Sequence, residues 1–302
     1  MKIFLNSNSF LGLNMKKITL ISPSSPAPDL TPETLKILRD QFETYGYQIH
    51  LGSHVLDSIR YLAGTDADRA QDVMNAFCDE TVDIVMTVRG GYGSPRILDL
   101  LDYNLLRQNA KPFWTISDGT ALQTALFTQS GITGYSGLQG LFFLNSKNKK
   151  LIQTGLEAMQ GKVPDIPIQK IWAKGVAEGI AVGGNLTVFT SLIGTPYFPD
   201  MKGKILVIED INEYPYRVDR MLAHLRLAGV FNQIAGVILG DFSGCVSKDD
   251  GDGDIEAVFQ DYFQNFPVPV VQINYGHRNR ETVVPIGKLV LIDTNTGVVK
   301  EV

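Results

Sequence analysis

The sequence predicts an α/β protein of two domains, an N-terminal parallel-sheet α/β domain followed by a smaller, β-rich one. Three observations carry that expectation. Short apolar runs alternate with helical patterns through the first half, the signature of parallel strands joined by crossover helices. Between about residues 160 and 181 the character changes to Lys, Gly and Pro without clear periodicity, and Gly183-Gly184-Asn185 then opens a new apolar segment. Beyond that point four apolar runs are accompanied by only two helical patterns. These features set a first domain at 15–165, a linker at 166–180 and a second domain at 181–302. With 302 residues, 44% of them apolar and 20% charged, the chain has material for about two cores.

The first strand is Ile18 to Ile21, preceded by Met15-Lys16-Lys17 and stopped by Ser22-Pro23-Ser24-Ser25-Pro26. That run is too short for the apolar core of a secretory signal, and no stretch reaches the roughly 20 apolar residues of a membrane helix. The expectation is a soluble, cytoplasmic protein, with Met15 as an alternative start. Thr31-Pro32-Glu33-Thr34 opens a helix to about Tyr45, with Thr31 as N-cap and Pro32 at its first position. A strand at 48–51, a helix at 67–77 and a strand at 82–88 follow, then strands near 113–116 and 131–135. In the second domain the strands fall at 204–208, 235–239, 268–272 and 289–292, and the helices at 217–228 and 255–263. No internal repeat is visible.

The net charge of -5 arises from 27 basic and 32 acidic residues mixed along the chain. No basic stripe offers the counterion-release footprint of a nucleic-acid binder. Cys78 and Cys245 form no disulfide framework and read as two buried thiols in a reducing compartment.

Four segments carry chemistry. In Phe113-Trp114-Thr115-Ile116-Ser117-Asp118-Gly119-Thr120 an apolar strand breaks into a helix at Ser117. Such a turn lifts a hydroxyl above the sheet and places free helix N–H groups beside it, as a nucleophile requires. The G-x-S-x-G spacing is absent, and helix capping by Ser117 or Asp118 explains the spacing equally well. Arg89-Gly90-Gly91-Tyr92-Gly93-Ser94 follows the strand at 82–88, and its glycines let a ligand approach backbone N–H groups. Neither phosphate-binding pattern is present. Gly90 and the flanking Arg89 and Arg96 are candidates for binding a substrate that bears carboxylates. Glu209, Asp210 and Glu213 follow a buried strand, with Asp210 and Glu213 placed to cap and charge the next helix, near Tyr216. Asn274-Tyr275-Gly276-His277-Arg278 holds the best-placed base, because His50, His54 and His224 show no partner pattern and no zinc-ligand spacing exists. Asp250, Asp252 and Asp254 have calcium-loop spacing, but Ile255 stands where the loop needs Gly and Asp261 where it needs Glu, so a solvated loop is expected. No metal or other cofactor is expected.

In combination these segments resemble the LD-carboxypeptidase family, serine peptidases that trim cell-wall muropeptides and whose relatives include microcin-immunity hydrolases. The resemblance runs from about Ile18 to the C-terminus. Its pieces are Tyr61-Leu62-Ala63-Gly64-Thr65-Asp66, Arg89 to Ser94, Ser117 to Leu122, Gly183-Gly184-Asn185-Leu186, Glu209-Asp210 with Tyr216-Arg217, and Gly276-His277. It implies that Ser117 is the nucleophile, Glu209 the acid and His277 the base, with the oxyanion held by the N–H groups of Gly91 and Asp118. It also implies a swivelling β/β/α second domain that supplies acid and base, a site in the cleft, a homodimer, and a murein peptide substrate cut before its terminal D-Ala. The sequence departs from the family at Ile116, where relatives often carry Tyr or His, and at Gly119, where many carry Ile or Phe. Hydrolysis of a peptidyl-nucleotide antibiotic is the rival activity, and a non-catalytic two-domain binding protein the rival class.

Overall fold

The computed structural model describes residues 15–247, 253–278 and 280–302. In chain order the elements are β1 (Lys16–Ile21), α1 (Pro32–Thr44), β2 (Tyr47–Leu51), α2 (Asp66–Cys78), β3 (Ile84–Thr87), α3 (Tyr103–Gln108), β4 (Phe113–Thr115), α4 (Thr120–Ser130), β5 (Gly134–Ser136) and α5 (Lys149–Met159). The second half continues with β6 (Ile166–Pro167), β7 (Lys170–Ala173), β8 (Val176–Asn185), α6 (Leu186–Thr190), β9 (Ile205–Glu209), α7 (Pro215–Leu227), β10 (Gly236–Leu239), α8 (Ile255–Phe263), β11 (Val270–Gln272), β12 (Val284–Ile286), β13 (Leu289–Asp293) and β14 (Val298–Glu301).

The first sheet has the order β12-β5-β4-β3-β1-β2, parallel throughout except for β12. Its strands are covered on both faces, which is why β1, β3 and β4 read as unbroken apolar runs. Leu38 and Phe42 of α1 pack with Leu151 and Leu156 of α5 and Trp114 on one side. Val73 and Phe77 of α2 and Leu122, Ala125 and Leu126 of α4 fill the other. The cap expected at Thr31 is present, its side chain accepting from Thr34 N at 3.3 Å. A capping box between Thr65 and Asp68 starts α2.

The second sheet runs β6-β14-β13-β8-β9-β10-β11-β7, with a parallel centre of β8 to β11 and antiparallel flanks. α7 and α8 pack against it through Val218, Leu222, Leu225, Phe259 and Phe263.

Two domain expectations are corrected. The segment 166–180 is not a linker, since it supplies β6, β7 and the first half of β8. These strands lie at sheet edges or pair on one side with polar residues outward, so their apolar signal is diluted by Lys170, Lys174 and Glu178. The stretch 181–302 is not a self-contained unit either, because β12 crosses back and pairs antiparallel with β5 in the first sheet. Cys245 is buried, which pushes its thiol up to about 11, whereas Cys78 is only half-buried. Among the described residues no helix is long and apolar enough to cross a membrane. Asp250 and Asp252 of the calcium-spaced run lie outside the described residues, and Asp254 caps α8 by accepting from Ala257 N at 2.8 Å.

Candidate active site

β4 ends in a sharp turn. Ile116 is extended, Ser117 takes the left-handed conformation with φ of 67°, and a 3₁₀ turn leads into α4. A non-glycine residue held there costs on the order of 1–3 kcal/mol, so the surroundings must fix it. Asp118 does this. Its buried carboxylate accepts from Ser24 Oγ at 2.5 Å and from Ser94 N at 2.7 Å, and its carbonyl accepts from Ser94 Oγ. The side chain of Asp118 therefore joins three loops rather than capping α4, and neither the 3₁₀ turn nor α4 has a side-chain cap. Relief of the strain is measurable: Ser117→Gly is expected to exceed Ser117→Ala in stability by about 1 kcal/mol by denaturant titration. Equal stabilities would show that the turn stores no strain.

The glycine-rich segment lies against this turn. A Cβ on Gly90 would stand 2.8 Å from Ser117 Cβ and 3.0 Å from its Oγ, so only glycine lets the loop approach the hydroxyl. Among the described residues the Gly91 N–H has no backbone partner, while the next N–H, of Tyr92, is taken by Ser25 Oγ at 3.1 Å. Beneath the loop lies Arg69, which sequence reasoning missed. Its fully buried guanidinium donates to the carbonyls of Pro23 and Gly93 and pairs with Asp66, fastening the loops after β1 and β3 to the start of α2. The signal for it is a cation on a buried helix face that holds Ala70, Val73, Ala76 and Phe77 beside a second charged residue, Asp72. At Gly119 a Cβ would collide with Thr115 Oγ1, at 1.8 Å, so this chain has no room for the larger side chains of relatives.

The candidate acid and base, Glu209 and His277, come from the second half. Glu209 closes β9 and is fully buried, and its Oε2 accepts from His277 Nδ1 at 2.6 Å. That bond leaves His277 Nε2 free to take a proton. Burial raises the Glu209 carboxyl above the ordinary range, opposed by the hydrogen bond and charge of His277. Burial alone would lower the imidazole, but the hydrogen bond and charge of Glu209 outweigh it and hold His277 above its usual value. Asn185 Nδ2 donates to Asp210 Oδ1 at 3.0 Å and reaches Glu209 Oε1 at 3.4 Å.

Asp210 differs from the sequence expectation. It is buried and accepts from Thr187 N at 3.0 Å, Thr187 Oγ1 at 2.8 Å and Ile211 N at 2.8 Å, so it serves the first turn of α6 and not α7. Glu213 pairs with Arg217 at 3.3 Å, one turn into α7.

The two halves touch at the site. A Cβ on Gly184 would stand 2.5 Å from Thr120 Oγ1, and the next N–H, of Asn185, donates to that same oxygen at 3.0 Å. Thr120 lies one turn beyond Ser117, and Asn185 contacts Glu209, so a continuous path of contacts links the start of α4 to Glu209. Ser117 Oγ itself makes no hydrogen bond among the described residues.

Of the two candidate arginines, Arg96 has a partner of its own. Its Nε and Nη2 grip the Asp66 carboxylate at 2.9 and 2.6 Å, a carboxylate it shares with Arg69. Arg89, half-buried, makes a long 3.4 Å contact to the Pro26 carbonyl. His54, which showed no partner in sequence, meets Asp57 at 2.8 Å and Asp68 at 3.8 Å, and the ligand atoms of these three lie within 4.8 Å of one another.

Comparison with known proteins bears on this geometry. Residues 18–137 match the model of the LD-carboxypeptidase N-terminal domain, and residues 178–292 match that of the LD-carboxypeptidase C-terminal domain. A probable murein peptide carboxypeptidase of Bacillus subtilis is 35% identical, with 92% of this chain and 88% of that protein covered. The chain belongs to the LD-carboxypeptidase family. A murein tetrapeptide carboxypeptidase of Pseudomonas aeruginosa is 31% identical over 92% of this chain and 94% of its own length. The crystal structure of muramoyltetrapeptide carboxypeptidase from Oxalobacter formigenes superposes with a TM-score of 0.83 at 29% identity, covering 94% of this chain and 97% of that one. The microcin C7 self-immunity protein MccF shares the fold, with a TM-score of 0.83 at 20% identity and 94% and 95% coverage. The family's two domain models thus divide the chain so that Ser117 falls in the N-terminal one and Glu209 and His277 in the C-terminal one.

Proposed function

We propose that this LD-carboxypeptidase family member is a serine carboxypeptidase that releases the terminal D-Ala from murein tetrapeptides. The observation that carries the reading is the buried Glu209–His277 pair at 2.6 Å, an oriented imidazole in a family member whose β4 ends in a strained serine turn.

In the proposed reaction His277 Nε2 takes the Ser117 proton as Oγ bonds to the scissile carbonyl carbon, and the carbonyl electrons move onto its oxygen. Glu209 holds the imidazole tautomer and stabilises the imidazolium. The N–H groups of Gly91 and Asp118 receive the oxyanion, the first being without a backbone partner among the described residues and the second in a first helical turn, where N–H groups lack intrahelical partners. Collapse breaks the C–N bond while His277 gives its proton to the departing amine of D-Ala. Water then gives a proton to His277, attacks the acyl carbon and frees Ser117, which recovers the proton. A carboxypeptidase must read the terminal carboxylate, a role assigned to Arg89, the neighbour of the Gly90 that lies against Ser117, whereas Arg96 is engaged with Asp66. Cytoplasmic location and a homodimer belong to the same reading, the first resting on the short first apolar run and the second on the resemblance. Light scattering during size-exclusion chromatography measures the dimer.

The decisive substrates are L-Ala-γ-D-Glu-meso-diaminopimelate-D-Ala, its terminal L-Ala isomer and a peptidyl-nucleotide conjugate. Release of D-Ala from the first alone is expected, and cleavage of the conjugate alone would transfer the protein to the immunity-type activity. That second reading needs an aromatic surface for the base. Tyr216, exposed and stacked on Tyr214 at 5.7 Å, is the feature that keeps it in the comparison.

The base must be neutral to act, and His277 is held above the ordinary histidine value of about 6.5. Activity is therefore expected to be full well above that raised pKa and to fall as pH drops through it. An acid limb in kcat/KM lying below the ordinary histidine value would contradict this environment. Turnover is also expected to survive EDTA and His54→Ala, because the triad chemistry draws on none of His54, Asp57 or Asp68. Loss of activity in EDTA with recovery on adding zinc would overturn the serine mechanism.

A further inference from the structure

The base rides on a segment that leaves the second sheet after β11 and enters the first sheet as β12. Three contacts fasten it to the nucleophile-bearing half on the way. Tyr275 Oη meets Ser136 Oγ at 2.6 Å, Thr154 Oγ1 donates to the Glu281 carbonyl at 3.1 Å, and Lys150 pairs with Glu281. Arg280 makes a fourth that also reaches the catalytic residue. Its Nη1 donates to the His277 carbonyl at 2.6 Å, its Nε to Asn148 Oδ1 at 3.2 Å, and its Cζ lies 3.9 Å from the centre of the Phe142 ring. Phe142 and Asn148 both precede α5 and belong to the half that carries Ser117.

We propose that Arg280 is a positioning residue, locking the His277 backbone onto the half that carries the nucleophile so that acid–base pair and serine keep a fixed relation. This rests on the reading of His277 as base. A guanidinium suits the task because its planar fork donates in two directions while its face stacks on an aromatic ring, which a lysine ammonium does less well. Two of its three nitrogens are committed and one face is covered by Phe142, so its contacts are internal. The arrangement also bears on the expected swivelling of the second domain: the base is stitched to the first sheet by β12, Tyr275, Glu281 and Arg280, while Glu209 stands on the second. A large independent rotation of the halves would have to break the Glu209–His277 bond or these four contacts.

The guanidinium also acts on the imidazole through its charge. The charged groups that bear on His277 are Glu209 and Asp210 at the end of β9, which favour the imidazolium, and Arg280, which opposes it. Asp241, on the loop after β10, accepts from Arg278 N at 3.1 Å and fixes the next residue of the turn.

The test compares wild type, Arg280→Gln and Arg280→Lys in kcat, KM and pH profile, with NMR titration of the imidazoles in histidine-labelled protein. Only four histidines are present, and His277→Gln assigns the relevant resonance. Arg280→Gln is expected to lower kcat by about ten- to a hundredfold with KM nearly unchanged, as slight misplacement of a catalytic group does. It is also expected to move the His277 titration and the acid limb upward, with partial recovery of both in Arg280→Lys. Wild-type kcat with an unmoved titration would overturn the proposal, as would a raised KM at unchanged kcat, the mark of a substrate contact. Should Arg280→Gln lose its fold, Phe142→Leu removes the stacking platform and keeps the charge. It should lower kcat in the same sense without moving the titration, and unchanged kcat in that variant counts against the proposal. The titration needs no turnover, so it tests the placement of Arg280 even if Ser117→Ala or His277→Gln retained activity and the triad reading failed.

Discussion

Ser117→Ala is expected to reduce kcat by several orders of magnitude while the protein keeps its fold, because the change removes the proposed nucleophilic oxygen. The hydroxyl makes no hydrogen bond among the described residues, and the turn around it is fixed by Asp118, Ser24 and Ser94 rather than by Oγ. Melting temperature and near-UV circular dichroism should therefore match wild type. The residual rate should still exceed the uncatalysed one by about 10³-fold or more, since the oxyanion donors and the binding surface survive. A variant that kept a tenth or more of wild-type turnover would remove Ser117 from the reaction.

Glu209→Gln is the second large effect, with kcat expected to fall by about 10³- to 10⁴-fold. The amide has the shape to replace the carboxylate, but it carries no charge to stabilise the imidazolium and does not fix which ring nitrogen holds the proton. Stability should change little, because the substitution also relieves the desolvation that raises the carboxyl of this fully buried residue. Glu213→Gln is the matched control. It loses only a surface-facing pair with Arg217 at 3.3 Å, worth about 0.2–1 kcal/mol, and should leave turnover intact. The opposite pattern, with Glu213 essential and Glu209 dispensable, would reassign the acid.

Much of the scaffold is legible in the sequence where the local signal is strong. The strands of the first sheet are covered on both faces, so they appear as short apolar runs, and the Thr31-Pro32 start of α1 is a local chemical event. Ser117, Glu209 and His277 stand out for a related reason: each closes or follows the C-terminal end of a buried interior strand. The legibility fails where the determining partner is distant in sequence. Nothing near Asp210 says that its carboxylate is consumed by Thr187 and Asn185, and nothing near Arg96 says that Asp66 holds it. Gly184 reads as a loop glycine until Thr120 is found against it. The strands at 166–180 escape notice because edge and one-sided strands admit charged residues, and β12 because three residues give no periodicity to measure. Arg69 and Arg280 are buried or half-buried cations whose partners are mainly carbonyls, which leave no trace in composition.

The most direct measurement of the serine mechanism uses the same tetrapeptide with its terminal D-Ala replaced by D-lactate. An ester bond is easier to break than an amide, so acylation should outrun deacylation and the acyl-enzyme should accumulate. Rapid quenching and mass spectrometry should then show the protein heavier by one tripeptide acyl group, mapped to the peptide that contains Ser117 and missing in Ser117→Ala. Release of D-lactate without any adduct on wild type and at an undiminished rate from Ser117→Ala would contradict covalent catalysis by this serine.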